Sequence, residues 1–133
     1  MKRIVLMIVC FTAFITIYAQ NEARFPITVS PDTCNFRLYP TENIYNHLKL
    51  DTRNGRIWQV QFSVRDSGSR LEVSINRDKL VFSEDEKVGR FFLFPTQNFY
   101  NFLLLDQVDG RVWQVQWGMD DDHRFIRRIY SDY

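Results

Sequence analysis

The chain has 133 residues, of which 45% are hydrophobic, 25% charged and 16% aromatic, with 17 Lys plus Arg against 16 Asp plus Glu. So even a balance argues against a nucleic-acid binder, which needs a basic face to displace counterions. The two cysteines and two histidines, Cys10, Cys34, His47 and His123, are scattered and do not form the compact set that a cage of nitrogen and sulfur metal ligands uses.

Residues 1–20 read as a secretory signal peptide. Lys2 and Arg3 precede an apolar run from Ile4 to Phe14, and Ile17-Tyr18-Ala19 supplies a cleavage site near Ala19 or Gln20. The run is shorter than the roughly 20 apolar residues of a membrane span, so no transmembrane anchor is expected. Cys10 follows Val9 inside that run rather than a small residue at its end, which is not the setting of a lipidated cysteine. Cleavage takes Lys2 and Arg3 from the 17 basic residues, leaving 15 against 16 acidic ones. Arg124, Arg127 and Arg128 cluster, but Asp120, Asp121 and Asp122 stand beside them, as on a solvated mixed-sign surface. A periplasmic or secreted protein with one all-β domain over 21–133 is expected. After cleavage Cys34 is the sole cysteine, which excludes an intramolecular disulfide and makes it most simply a small apolar residue, with a free thiol or an intermolecular bridge as the alternative.

Asn21–Asn35 holds Pro26 and Pro31 around Ile27-Thr28-Val29, a lead-in or edge strand. The chain is then organised by an internal duplication: Phe36–Val64 returns 55 positions later as Phe91–Met119, with 16 of 29 positions identical. Each copy starts with a strand (from Phe36, from Phe91) interrupted by Pro40-Thr41-Glu42-Asn43 or Pro95-Thr96-Gln97-Asn98, which is turn chemistry. A hairpin follows over His47–Phe62, turning through Asp51-Thr52-Arg53-Asn54-Gly55. Gly55 suits the left-handed position that ends such a loop, and Asp51 can accept loop amides.

On the return strand Trp58, Val60 and Phe62 alternate with Ile57, Gln59 and Gln61, as Trp113, Val115 and Trp117 do with Val112, Gln114 and Gln116. The tryptophan side is expected in the core and the glutamine side in solvent. His47 and Lys49 become Phe102 and Leu104 in the second copy, whose outgoing strand is then apolar on both faces and expected to be the more buried. Arg70–Ile75 gives a fourth strand, aligned with Arg124–Ile129 after one deletion. Repeat 1 thus spans about 36–78 and repeat 2 about 91–132, with a short strand at Lys79–Phe82 and a linker at Ser83–Gly89. Two such units are too few for a propeller. The expected fold is all-β: two tandem four-stranded antiparallel repeats packed as one pseudo-two-fold sandwich or distorted barrel, with the two tryptophan faces meeting.

In the runs LYPTENIYNHLKLD…GRIWQVQ and LFPTQNFYNFLLLD…GRVWQVQ the chain resembles small secreted proteins of Bacteroides-like bacteria that carry the same duplicated motif. The resemblance covers most of the chain after the signal peptide. It implies a periplasmic or surface location and supplies no catalytic residue. A fainter likeness runs to quinoprotein-type propeller blades, whose hairpins carry Asp, Gly and Trp in similar order. Trp58 lies three residues after Gly55 rather than four, so no quinoprotein function is carried over.

Candidate chemistry is sparse. Nucleophilic catalysis needs a hydroxyl or thiol beside an oriented base. His47 is Phe102 in the other copy, His123 sits in an acidic stretch, and Cys34 has no cationic neighbour in sequence. Asp120-Asp121-Asp122 lacks the alternation and glycine of a calcium loop. Asp51 and Asp106 are the paired carboxylates a hydrolase would use, and their turns explain both. No catalytic residue, metal or cofactor is assigned. The polar residues kept in both copies read as fold support, and function is sought where the copies differ. Phe99, Tyr100, Gln114, Gln116 and Trp117 are the candidate ligand-binding residues, aromatics beside amides that suit a sugar or peptide surface. The expected function is a non-enzymatic secreted module binding a protein or glycan. A small carboxylate-dependent hydrolase and a structural oligomer or envelope component are the alternatives.

Overall fold

The structure, a computed structural model, describes residues 33–132. The predicted signal peptide, with Cys10, and the predicted edge strand at Ile27–Val29 lie outside the described residues. Eight strands follow in order: β1 (Phe36–Pro40), β2 (Asn46–Asp51), β3 (Ile57–Gln61), β4 (Leu71–Asn76), β5 (Phe91–Pro95), β6 (Asn101–Asp106), β7 (Val112–Gln116) and β8 (Phe125–Ile129). They form two four-stranded antiparallel meanders, β1-β2-β3-β4 and β5-β6-β7-β8. The expected all-β pair of repeats is present. The sheets pack as two bodies and do not close, which removes the distorted barrel. Lys79–Phe82 forms no strand; Leu80 and Val81 instead pack against the core, and Leu80 donates its N–H to the Asn54 carbonyl at 2.8 Å. A single 3-10 turn at Ser83–Asp85 occupies the linker.

Local chemistry makes the two units alike. In each hairpin loop an aspartate opens the turn and a glycine ends it. Gly55 and Gly110 have φ of 80° and 79°, and their N–H groups donate to the Asp51 and Asp106 carbonyls at 3.0 and 2.9 Å. Between the first two strands of each unit, the Thr41 hydroxyl accepts from the Asn43 N–H (3.2 Å) and donates to the Asn46 carbonyl (2.8 Å). Thr96 does the same for Asn98 and Asn101 (3.1 and 2.8 Å). The duplicated threonine, asparagine and aspartate residues thus support the turns and strands of both units.

The packing between the units differs from the expectation. The core contains Leu48, Leu50, Ile57 and Ile75 from the first sheet, and Phe91, Leu93, Phe102, Leu104, Trp113, Val115 and Trp117 from the second. In β7 the tryptophan side is buried; in β3 the opposite side is, led by Ile57 and Gln59, while Trp58 and Val60 are half-buried and Phe62 is exposed. The expectation that the two tryptophan faces meet is therefore corrected: unlike faces meet. In the first unit the expectation of a solvated glutamine face is corrected as well, because Gln59 is 1% exposed, whereas in the second unit the glutamine side is the open one.

The partner strand gives the physical reason. Register places Lys49 beside Trp58 and His47 beside Val60, two polar side chains that favour water. At the equivalent places Leu104 lies beside Trp113 and Phe102 beside Val115, so that side is driven inward. The expectation that β6 is the more buried outgoing strand is corrected too: β2 buries Leu48 and Leu50 and exposes no residue, whereas β6 buries Phe102 and Leu104 but leaves Leu103 exposed, so the two strands differ in which face they bury.

Several bonds fix the joint. Gln59 donates Nε2–H to Asn46 Oδ1 at 2.9 Å and accepts the Gly118 N–H on Oε1 at 3.3 Å, so a fully buried amide is satisfied across the two sheets. Thr52 receives the Phe91 N–H on its carbonyl (2.8 Å) and the Gly89 N–H on its hydroxyl (3.1 Å). Tyr39 meets Phe92 edge-to-face at 5.6 Å and accepts the Leu93 N–H at 3.4 Å. Burial pushes the Tyr39 phenol above its ordinary range, against the opposing pull of Leu93 and Arg37.

Candidate functional site

Because unlike faces meet, each sheet keeps one face that the other described residues leave open. On the first sheet this is the tryptophan face. Phe36 and Trp58 lie 6.4 Å apart between ring centres, and the Lys49 ammonium sits 4.6 Å from the Trp58 ring centre while pairing with Glu72. At the far end Phe62 packs against Tyr45 (5.8 Å) and His47 (6.0 Å). Leu38, between these groups, is 62% exposed. These aromatic and aliphatic side chains, with a cation among them, depart from an ordinary polar sheet face. Sequence reasoning missed this departure by sending the tryptophan side of both units to the core. The signal was available in His47 and Lys49, which stand on the Trp58 side of β2.

The second sheet opens its glutamine face, which carries Phe94, Leu103 and Ile129 around Gln114 and Gln116, while Phe92 on its edge strand meets Tyr39 and Arg37 of the first sheet. Leu103 is 37% exposed, and Phe94 and Ile129 are also exposed. The five residues proposed from sequence divide between two environments. Gln114 and Gln116 are half-buried on this open face, Gln114 donating Nε2–H to Asn101 Oδ1 at 2.7 Å. Trp117 is 1% exposed and belongs to the core, where its indole N–H donates to the Phe99 carbonyl at 3.2 Å. Phe99 and Tyr100 are exposed on the turn above it, their ring centres 5.5 and 5.2 Å from that of Trp117. Trp117 thus supports Phe99 and Tyr100 from beneath, its bulk filling the place that the exposed Phe62 leaves open in the first unit.

The paired carboxylates are consumed by structure. Burial of Asp106 pushes its carboxyl up, but Arg90 at 2.9 and 3.0 Å and the N–H groups of Val108 and Asp109 outweigh this and hold it below the usual carboxylate range. Asp51 behaves alike: burial pushes up, while the Arg53 side chain and N–H, with Asn54, bring the balance below the ordinary value. Both are loop-ordering anions, and every one of these partners favours the ionised form.

Neither histidine is hydrogen-bonded to a nucleophile among the described residues. His47 leans on Phe62, and His123 is exposed with Nδ1 3.6 Å from Asp120. Cys34 is a free, half-buried thiol whose carbonyl accepts from the Thr52 hydroxyl at 2.8 Å. Among the described residues no three His, Cys, Asp or Glu side chains gather to hold a metal, and no helix is long and apolar enough to cross a membrane. Set beside protein-family models, curated proteins and solved structures, the chain matches none.

Proposed function

We propose that this protein is a non-enzymatic docking module, exported to the periplasm or beyond, whose open sheet faces bind another protein. The observation that carries this reading is the open face of the first sheet, where Phe36, Leu38 and Phe62 are exposed around Trp58. A sheet face covered by aromatic and aliphatic side chains, with one cation over a ring, suits the desolvated centre of a protein interface. The engagement of Asp51 and Asp106 in their own loops supports the non-enzymatic part of the reading.

The test is site-directed photo-crosslinking in cells that express the protein. A crosslinker at Leu38, on the open face, should yield discrete protein adducts. One at Val108, exposed on the tip of the second hairpin, should yield none. Equal labelling from both positions, or binding to a glycan array that Leu38→Glu leaves intact, would overturn the proposal.

A further inference from the structure

The two open faces are the sequence equivalents of the two faces already joined. On the first sheet the open residues Leu38, Trp58, Val60 and Phe62 stand where Leu93, Trp113, Val115 and Trp117 stand in the core of the second. On the second sheet Leu103, Leu105 and Gln114 stand where Leu48, Leu50 and Gln59 stand in the core of the first. A contact between unlike faces does not use itself up: it leaves one complementary face at each end of the pair.

Resting on the docking reading above, we infer that the partner is a second copy of this chain, stacked head to tail. The open face of the first sheet of one copy covers the open face of the second sheet of the next, by the same contact that joins the two sheets within the chain. A hydrogen bond at the intrachain joint supports this independently of apolar exposure. Gln59, oriented by Asn46, accepts the Gly118 N–H. Gln114 is oriented in the same way by Asn101, yet its Oε1 accepts no hydrogen bond among the described residues. The backbone N–H equivalent to that of Gly118 is that of Ser63, and it likewise donates to nothing among them. Head-to-tail stacking brings this unused acceptor and this unused donor to the places that Gln59 and Gly118 occupy within the chain. Unlike-face association closes into a ring if the rotation per copy allows, and otherwise grows as a filament.

The experiment is sedimentation of the protein purified from its expressing cells, over a hundredfold concentration range, together with Leu38→Glu, which spoils only the first face, and Leu103→Glu, which spoils only the second. The wild type should pass from one chain to higher multiples. Each variant alone should stay at one chain, and an equimolar mixture of the two should reach two chains and stop, since each variant retains the face the other lacks. Far-UV circular dichroism confirms that both exposed substitutions leave the fold in place. Gln114→Met, which keeps the shape and removes the acceptor, should weaken association about fivefold. A wild type that stays at one chain throughout overturns the inference. If the Leu38 crosslinker then still captures a different protein, the docking reading survives; if it captures nothing, both fall. Association by either variant alone, or a mixture that stays at one chain, overturns the head-to-tail arrangement.

Discussion

Alanine at Trp58 and at Trp113 should have unequal effects, although both replace the same residue of the same repeated motif. Trp113 is 7% exposed, packs its ring 6.1 Å from that of Phe91, and lies under the guanidinium groups of Arg111 and Arg128. Emptying such a site costs about 3–5 kcal/mol. Trp58 is half-buried on the open face, with Lys49 over its ring and Phe36 at its side. Its loss removes a cation–π contact of about 0.5–1 kcal/mol and part of an apolar area already wet in the folded state, about 1–2 kcal/mol in all. Urea unfolding followed by far-UV circular dichroism suits the comparison, because tryptophan fluorescence changes with the substitutions themselves. At a denaturant slope of about 1–2 kcal/mol per molar, a difference of about 2 kcal/mol separates the two midpoints by about 1–2 M. Equal losses, or a larger loss at Trp58, would refute the packing of unlike faces.

Gly55→Ala and Gly110→Ala share the backbone penalty of a left-handed residue, about 1–2 kcal/mol. A Cβ at 55 also meets Leu80 at 2.7 Å and Phe91 at 3.3 Å, whereas one at 110 meets nothing within 4 Å, so Gly55→Ala should lose about 1–3 kcal/mol more in thermal melts. Equal melting losses would place Leu80 elsewhere. Asp106→Ala strands the nearly buried Arg90 and two loop N–H groups and should cost about 3–5 kcal/mol in equilibrium unfolding; a loss below about 1 kcal/mol would make the pair a surface one. Asp51 and Asp106 are both held below the ordinary carboxylate value of about 3.9, so their stabilisation is complete above that pH and is lost as pH falls through their lower folded values. Stability should therefore be level near neutrality and fall below about pH 4, with a shallower fall in Asp106→Asn; an unchanged acid limb in that variant would contradict the assignment. The double substitution His47→Phe with Lys49→Leu gives the first sheet the side chains of the second, and should tighten self-association at least tenfold in sedimentation, an effect that its combination with Leu103→Glu should abolish.

Much of this fold was legible because the duplication repeats structural instructions. Asp51 to Gly55 specifies a hairpin wherever it occurs, and the Thr41, Asn43 and Asn46 set specifies a turn leading into a strand. Period-two alternation on β3 and β7 was equally plain, but alternation only separates two faces and does not say which one is covered. That choice depends on the neighbouring strand, through His47 and Lys49 in one unit and Phe102 and Leu104 in the other. Gln59 shows the same limit from the polar side. A buried amide with both ends satisfied cannot be told from a solvated one when its acceptor partner is the backbone N–H of Gly118, 59 residues away. At the candidate site Phe99 and Tyr100 present their rings to solvent while Trp117 fills the space beneath them, a division that residue type alone does not disclose.

The differences between the copies then acquire a direction. If both units carried Phe and Leu on the tryptophan side, the contact between chains would be as apolar as the contact within one, and growth would have nothing to limit it. Lys49, paired with Glu72 and half-buried over Trp58, must surrender part of its hydration when another sheet covers it. The intrachain joint carries no such burden, since Leu104 takes that place and the linker from Leu80 to Arg90 holds the sheets together through Asn54 and Thr52. On the head-to-tail proposal, one motif used twice gives a permanent contact within the chain and a weaker, reversible version of it at the ends. The residues that set the difference in strength are His47 and Lys49, rather than the tryptophans that first draw the eye.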